Sequence, residues 1–386
     1  MQKEDTVQVE ALISNGKPEE DFNGKGLPHA QVVLYFISRK YPVPEQYLKI
    51  LGKTYPRARL VGCTTGGEIY GDDATENSAV SVAIALEVGY VRIAAAKAEK
   101  PEESYAVGEA LGRELAAPDL RVVFILSEGL TVVGSALVGG LTATCPPGVM
   151  LTGGLAGDGA DFLQTGVGVD ALPESGMVAA VGLYGDSIRA SCGSVGGWVN
   201  FGPERVITKA HKNIIYEFDG KSALELYKTY LGEDAEKLPG SGLLFPLSIS
   251  PPNNPTHSIV RSVFGIDEKE GSLIFSDNIP QGYIARMMQG TIHNLVDGAT
   301  EAATCAVGST GFAGFTPSVA LLVSCIGRNL MMGQRVSSEI SAVREILGKV
   351  PVAGFYSYGE ICPHPLTHKC DLHNQTMTIT LLGEQV

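Results

Sequence analysis

The chain alternates between short runs of consecutive apolar residues and longer polar stretches that are rich in glycine. Three of these apolar runs, residues 32–38, 122–127 and 320–324, end in a serine, and each is followed by a polar stretch and then a second apolar run. Unbroken apolar runs are typical of strands that are buried on both faces of a parallel sheet. The pattern therefore predicts three strand–helix–strand units.

A glycine-rich turn that carries one acid follows the second apolar run of each unit. Glu68, Asp158 and Glu360 lie 30, 31 and 36 residues after the serines that end the first runs. A separation of about 30 residues matches the length of one strand–helix–strand unit. We therefore interpret three segments as copies of one unit: residues 32–69, 121–158 and 320–361.

Between the units, apolar and polar residues alternate in a way that is typical of antiparallel strands. Residues 79–86 and 91–96 predict a hairpin, and further strands are expected up to residue 194. The longest predicted helix covers residues 281–301, and residues 375–382 predict a half-buried last strand. The predicted fold class is α/β, with mixed sheets that are covered by helices and extended by antiparallel meanders.

At 386 residues the chain exceeds a typical single domain. We expect a variable lead-in over residues 1–30, which includes a first edge strand. A first module with two units is expected over residues 31–220. A second module, with the third unit and the helix over 281–301, is expected over residues 221–386.

Composition and charge exclude several classes of function. The net charge is −13 with no compensating basic run, so nucleic acid and anionic membranes are not expected partners. The first twenty residues have no apolar core of a signal peptide, and no apolar stretch reaches about 18 residues. Seven cysteines without a secreted-scaffold spacing favour a cytoplasmic protein with reduced thiols.

Several motifs, taken in their order along the chain, resemble those of the FIST family of sensory domains. The resemblance extends over nearly the whole chain. The motifs that carry it are Gly62-Cys-Thr-Thr-Gly-Gly-Glu-Ile69, Gly153-Gly-Leu-Ala-Gly-Asp158, Ala223-Leu-Glu-Leu-Tyr227, Ile279-Pro-Gln-Gly282, Ser324-Cys-Ile-Gly-Arg328, the segment 354–361 and Leu372-His-Asn-Gln-Thr376.

This resemblance implies sensing of a small ligand, with amino acids as the proposed class. It also implies an alternative, because some bacterial members are described as haem-binding nitric-oxide sensors. Those members control a partner histidine kinase or a cyclic-di-GMP enzyme. The sequence shows no fused kinase or F-box region, so the expected output acts through a separate protein.

Two glutamates and two arginines are the candidate ligand-binding residues. Glu68 and Glu360 either cap backbone N–H groups of their turns or accept the ammonium of an amino acid. Arg328 follows a buried strand, where its guanidinium suits a ligand carboxylate or a structural salt bridge. Arg261, which opens another strand, is a further candidate. A cleft between the two modules, lined by Glu68, Arg328 and Glu360, is the expected site.

Cysteine and histidine supply the remaining candidates. Cys325 precedes a predicted helix, so it is either an activated nucleophile of an enzyme or a buried thiol. One loop concentrates possible metal or haem ligands, although its spacing matches no zinc template and lacks the CxxCH motif of covalent haem. These residues are Cys362, His364, His368, Cys370 and His373, and His293 is a conceivable axial ligand for haem. The alternative is that these histidines are structural.

Overall fold

The computed structural model describes residues 7–308, 315–364 and 369–385. Its strands are β1 (Gln8–Ser14), β2 (Val32–Ser38), β3 (Arg59–Thr65), β4 (Glu68–Tyr70), β5 (Asp73–Thr75), β6 (Ala79–Ala85), β7 (Tyr90–Lys97), β8 (Leu120–Ser127), β9 (Met150–Leu155), β10 (Val167–Val169), β11 (Met177–Tyr184), β12 (Ile188–Val195), β13 (Val199–His211), β14 (Ile214–Phe218), β15 (Lys221–Ser222), β16 (Leu247–Ser250), β17 (Ile259–Arg261), β18 (Val263–Asp267), β19 (Ser272–Phe275), β20 (Ile284–Gln289), β21 (Val319–Cys325), β22 (Val352–Ser357), β23 (Gly359–Pro363), β24 (Cys370–His373) and β25 (Met377–Glu384). Its α-helices are α1 (Pro18–Asp21), α2 (Pro44–Thr54), α3 (Ser104–Leu115), α4 (Gly134–Thr144), α5 (Ala223–Leu231), α6 (Ile292–Gly308), α7 (Ile326–Met332) and α8 (Ser337–Leu347).

Three strand–helix–strand units are present, as the apolar runs predict. Strands β2 and β3 pair in parallel across α2, β8 and β9 pair across α4, and β21 and β22 pair across α7 and α8. The parallel strands are almost completely buried, which explains their unbroken apolar runs. The α/β fold with mixed sheets is confirmed.

Each parallel pair lies inside its own mixed sheet. The strand orders are β1-β6-β2-β3-β10 in the first sheet, β24-β23-β9-β8-β11-β7 in the second, and β12-β25-β21-β22-β4-β5 in the third. On one side of each pair lies an antiparallel strand from later in the same part of the chain, namely β6, β11 or β25. The three sheets therefore share one plan.

On its other side, each parallel pair receives a strand from a different unit. Strand β4 follows the first unit but pairs with β22 of the third unit. Strand β23 follows the third unit but pairs with β9 of the second. Strand β10 follows the second unit and pairs with β3 of the first. This cyclic exchange of strands joins the three units into one body with an approximate threefold arrangement.

The inner faces of the three sheets pack into a common apolar core. Phe36, Phe124 and Phe355 contribute to this core from the three sheets, and the rings of Phe36 and Phe355 stack at 4.8 Å between centroids. The outer faces are covered by helices: α2 on the first sheet, α3 and α4 on the second, and α6 and α8 on the third. Both faces of each central strand are thus removed from water, which is the dominant stabilising contribution.

A fourth sheet forms a separate layer with its own core. Its strand order is β17-β16-β20-β13-β14-β19-β18, with β15 paired to β14. Helix α5 buries Leu224 and Tyr227 against it. The layer extends from Val199 to Gln289, and these two terminal residues are partners in the β13–β20 register.

Two expectations about the chain order need correction or qualification. The helix predicted over residues 281–301 is wrong, because residues 284–289 form β20 and the helix covers Ile292–Gly308. The Thr291 hydroxyl accepts the Asn294 N–H and so caps the true start of the helix. The expected module boundary at residue 220 lies in the turn between β14 and β15, inside the fourth sheet.

The lead-in contributes to the fold, since β1 is the predicted edge strand and pairs with β6. In the part of the chain that the structure describes, no helix has both the length and the apolar character needed to cross a membrane.

Candidate functional site

Glu68 is fully enclosed at the turn that follows β3. Its carboxylate accepts hydrogen bonds from the Thr65 hydroxyl, from the Ser78 backbone N–H at 3.1 Å and from the Ser78 hydroxyl at 2.7 Å. Burial raises the pKa of Glu68 to about 7, although these hydrogen bonds oppose the shift. The side chain therefore caps its own turn and the start of β6.

Glu360 has the same environment in the third unit. Its carboxylate accepts from the Ser357 hydroxyl at 2.6 Å, and from the Thr376 N–H at 3.1 Å and hydroxyl at 2.9 Å. Burial raises the pKa of Glu360 to about 8, with hydrogen bonds to Ser357 and Thr376 again opposing the shift. Both glutamates thus match the capping interpretation.

Asp158 closes the corresponding turn of the second unit in a different way. Its carboxylate accepts three backbone N–H groups at 2.9 Å, from Phe162, Leu163 and Gln164. The Tyr358 hydroxyl from the third unit also donates to it. These bonds fold residues 158–164 into a compact loop that lies against another unit.

Of the two alternatives for Arg328, a ligand-binding residue or a structural salt bridge, the structure shows the salt bridge. Its side chain is completely buried, and Nε and Nη2 donate to the Glu339 carboxylate at 3.0 and 2.7 Å. Nη2 also donates to the carbonyl of Leu295 at 2.8 Å, and Nη1 donates to the carbonyl of Gly196. The guanidinium therefore connects α7, α8 and α6, and its donors are engaged by the protein itself.

Arg261 joins the fourth sheet to the second. It is 3% exposed, and Nη1 donates to the carbonyl of Leu372 on β24 at 3.0 Å. Nε of Arg261 has no acceptor among the described residues. Arg261 therefore lies at the contact between the fourth and second sheets, and none of Glu68, Arg261, Arg328 and Glu360 lines the polar cleft described below.

Of the two alternatives for Cys325, an activated nucleophile or a buried thiol, the structure shows a buried thiol. It lies at the end of β21 and is 2% exposed. Burial raises the pKa of this thiol well above its ordinary value, and the nearby Glu360 carboxyl adds to the shift. A thiol in this state is a poor nucleophile.

The predicted metal-binding loop is only partly described, since His368 lies outside the described residues. The ring of His364 lies between those of His257 and His373, with centroid separations of 5.1 and 6.1 Å. His257 comes from the loop before β17, and its Nε2 lies 3.6 Å from Asp371. Sequence reasoning missed His257, because more than a hundred residues separate it from the loop.

The described side chains of this group are engaged within the protein or lie apart from the loop. Nε2 of His373 lies 3.0 Å from the carbonyl oxygen of Cys362, and burial lowers the pKa of this imidazole to about 4. The Cys370 thiol donates to the carbonyl of Leu151. His293 lies exposed on α6 beside Asp297. Within the described ranges, no three His, Cys, Asp or Glu side chains are arranged to hold a metal ion.

An open polar cleft of about 240 Å³ lies where loops of the three units meet. It occupies the carboxyl ends of β2 and β3, the position at which α/β sheets usually hold ligands. The residues that line it are Ser38, Arg39, Lys40, Thr65, Gly66, Gly67, Glu76, Asn77, Asp158, Gly159, Ala160, Asp161, Ile326, Asn329 and Leu330. Both expected modules contribute, because the last three belong to α7.

Charges of both signs line this cleft. Nη2 of Arg39 and Nζ of Lys40 lie 3.0 and 3.1 Å from the Asp161 carboxylate, and Nε of Arg39 lies 3.7 Å from Asp158. Glu76 adds a third carboxylate at the rim. The arrangement can bind the cationic and the anionic end of one small molecule at the same time.

Two of the predicted residues, Glu68 and Arg328, are next to residues of this cleft but do not line it. Thr65, which donates to Glu68, is part of the wall, and Asn329 lines the cleft one position after Arg328. The signal that would have identified the cations was available, because Arg39 and Lys40 directly follow the end of a buried strand.

Comparisons with known proteins give two matches to family models. The model described as the FIST N domain matches residues 31–221, and the model described as the FIST C domain matches residues 223–363. The two matched regions meet inside the fourth sheet, close to the β14–β15 turn. A search of curated proteins finds no match.

Proposed function

Because the chain belongs to the FIST family, whose domains are sensory domains linked to signal transduction, we propose that it senses an amino-acid-like ligand in the polar cleft. The observation that carries this proposal is the presence of Arg39, Lys40 and Asp161 around one cavity at the ends of parallel strands. A zwitterion is the simplest molecule that complements such a set of charges.

The expected orientation follows from the charges. The ligand carboxylate would meet Arg39 and Lys40, whose guanidinium and ammonium are suited to carboxylates. The ligand ammonium would meet Asp161, whose side chain is about one third exposed, whereas the Asp158 side chain is enclosed behind it. The cations already pair with Asp161, so binding would replace or extend existing ion pairs and would not expose an unpaired charge.

Signalling through a separate protein agrees with the construction of the cleft. Its walls come from loops after β2 and β3, from residues 158–161 and from α7, so an occupant would draw three units together. A ligand can shift a conformational equilibrium only by its difference in affinity between the two states. Contacts to three units provide a physical basis for such a difference. We propose a cytoplasmic location, which accords with seven reduced thiols.

A thermal-shift screen of the common amino acids tests the proposal. Ligand binding stabilises the folded state by RT ln(1 + [L]/Kd), about 2.7 kcal/mol when the ligand exceeds Kd a hundredfold. We expect a shift for at least one amino acid with the wild type, and no shift with Arg39→Gln.

The matched control is Arg59→Gln, which removes an arginine that pairs with Asp170 on the same sheet but outside the cleft. It should keep the full shift. If the screen gives a ligand that stabilises Arg39→Gln and wild type equally, the ligand binds elsewhere and this cleft is not the site.

A further inference from the structure

Four of the seven cysteines gather where the second and third sheets meet. Cys192 lies on β12 of the third sheet, and Cys362 lies on β23 of the second. Cys370 on β24 and Cys145 after α4 lie nearby. Since all seven thiols are reduced in this structure, the proximity is not the result of an existing covalent bond.

Within this group, Cys192 and Cys362 are in direct contact. Strands β12 and β23 pack against each other although they belong to different sheets, and the two thiol side chains interact across this contact. The Cys370 thiol is directed elsewhere, because it donates to the carbonyl of Leu151 at 3.5 Å. Cys192 is half-buried whereas Cys362 is fully enclosed, so a reagent from solvent reaches Cys192 first.

The two thiols also differ in acidity in the direction that a sequential reaction needs. The interaction with the Cys362 thiol lowers the pKa of Cys192, against the effect of burial. The same contact, together with burial, raises the pKa of Cys362. Only the thiolate is nucleophilic, and a lower pKa enlarges the thiolate fraction near neutral pH.

We propose that Cys192 and Cys362 are a redox modification site, which closes to a reversible disulfide by exchange with a small disulfide such as oxidised glutathione. The Cys192 thiolate attacks one sulfur of oxidised glutathione, and one glutathione thiolate leaves. The Cys362 thiol then loses its proton and attacks Sγ of Cys192, and the second glutathione thiolate leaves. In total, two protein thiols are oxidised and one glutathione disulfide is reduced to two glutathione thiols.

The new bond would connect the third sheet to the second at a point where they are otherwise held by side-chain packing. It would close a loop of 170 residues between positions 192 and 362. Long closed loops give the largest reduction of denatured-state entropy, so the oxidised protein should be the more stable form. This inference is independent of the ligand cleft.

The test uses the full-length protein incubated with oxidised glutathione and then denatured for thiol counting and peptide mapping. We expect the number of free thiols to fall from seven to five, with one peptide pair joined through Cys192 and Cys362. The melting temperature should rise and return to its original value after reduction.

Variants distinguish the two steps. Cys362→Ser should retain a glutathione adduct on Cys192, because the resolving thiol is missing. In Cys192→Ser, the Cys362 thiol should stay free, because the attacking thiol is missing. The control Cys305→Ser, which changes an exposed cysteine on α6, should form the cross-link as the wild type does.

Peptide mapping of the wild type alone decides the question even if a variant fails to fold. A cross-link through Cys370 or Cys145 would overturn the assignment. So would seven free thiols after incubation, or an adduct on Cys192 that Cys362 does not displace.

Discussion

The turn after β3 and the turn after β22 have the same acid in the same hydrogen-bonding environment, but only the first opens to solvent. In both, the residue three positions earlier donates a hydroxyl to the glutamate, and a residue before the next antiparallel strand donates an N–H and a hydroxyl. The residue after that first hydroxyl differs: it is Gly66 in the first unit and Tyr358 in the third.

Tyr358 fills the space that Gly66 leaves open. Its ring stacks on Phe162 at 4.6 Å and meets the edge of Phe264 from the fourth sheet at 6.1 Å. At the first unit the same position carries no side chain, and the polar cleft lies there. The comparison teaches that the repeated acid belongs to the fold. The candidate ligand site lies at the turn of the first unit, where Gly66 stands in place of the tyrosine that closes the turn of the third unit.

The largest expected effect is a difference in stability between variants of two arginines. Arg39 follows β2, the first strand of the first unit, and Arg328 follows β21, the first strand of the third unit. Arg328→Met should lower the free energy of unfolding by about 3–5 kcal/mol, because Glu339 would remain buried without its partner. Arg39→Met, at the open cleft, should change it by less than about 1 kcal/mol, since its ion pairs are partly exposed. Urea denaturation measures both.

The double variant Arg328→Met with Glu339→Leu is the control for this pair, because replacing both ions by apolar side chains removes the unpaired charge. It should recover most of the lost stability. If Arg328→Met is as stable as wild type, the ion pair does not hold the three helices together.

The two buried glutamates should make stability depend on pH. Their folded-state pKa values are raised, to about 7 for Glu68 and about 8 for Glu360, so the folded protein binds protons more tightly than the unfolded chain. Their contribution is therefore fully present below about pH 4.5 and is lost as the pH rises through the folded values. Each group contributes a slope of up to about 1.4 kcal/mol per pH unit in that window.

Gln at either position mimics the protonated acid and should remove one of these slopes. Urea denaturation between pH 5 and pH 8 compares Glu360→Gln, Glu68→Gln and wild type. Because the folded-state pKa of Glu68 is lower than that of Glu360, the stabilising contribution of Glu68 should disappear at a lower pH. Equal dependence of stability on pH in the wild type and in both Gln variants would contradict the raised values.

Two neighbouring glycines should respond differently to a methyl group. Gly67 has a φ of +144°, and a Cβ there would lie 3.2 Å from the Tyr356 ring, so Gly67→Ala should cost about 1–3 kcal/mol. At Gly66 the closest atom to a new Cβ would be the terminal carbon of Ile326, at 2.8 Å, which can rotate away. Gly66→Ala should therefore keep most of its stability but narrow the cleft and reduce the thermal shift with the ligand found in the amino-acid screen.

The smallest effect on stability is expected when the hydroxyl of Tyr358, the residue that closes the turn of the third unit, is removed. Tyr358→Phe keeps the ring stack but removes the donor to Asp158, which retains its three backbone N–H donors. A loss of about 1 kcal/mol is expected, measured by thermal unfolding. Tyr356→Phe, which removes a hydroxyl donor from Glu339, is a matched control two residues earlier in the chain. A loss with Tyr358→Phe as large as that of Arg328→Met would place Asp158 among the principal supports of the fold.

Local patterns were sufficient to predict the three units but not the way they combine. The apolar runs and acid spacings identify each parallel pair, because these features are contained within about 30 residues. The exchanged strands β4, β10 and β23 are only three to five residues long, and their partners lie between about a hundred and almost three hundred residues away. Nothing in a short polar or glycine-rich stretch specifies such a partner.

Two of the candidate residues, Glu68 and Arg328, are close in sequence to residues that line the cleft, but their own side chains are buried. Successive residues at a strand end or helix start point in different directions, so a shift of one position exchanges a buried side chain for an exposed one. Arg328 is buried while Asn329 lines the cleft, and Glu68 lies behind Thr65. A single sequence identifies the right edge of the sheet, whereas the choice of side chain depends on packing by another unit.

The paired ends of the fourth sheet have a consequence for how this protein could be modified. Since Val199 and Gln289 are partners on adjacent strands, the chain leaves and re-enters the three-sheet body at nearly one point. An insertion into an outer loop of a segment attached in this way lengthens the chain without separating the two ends of the attachment. The outer loops of the fourth sheet are therefore the natural place for a reporter insertion, which would convert the protein into a genetically encoded probe of the ligand proposed above.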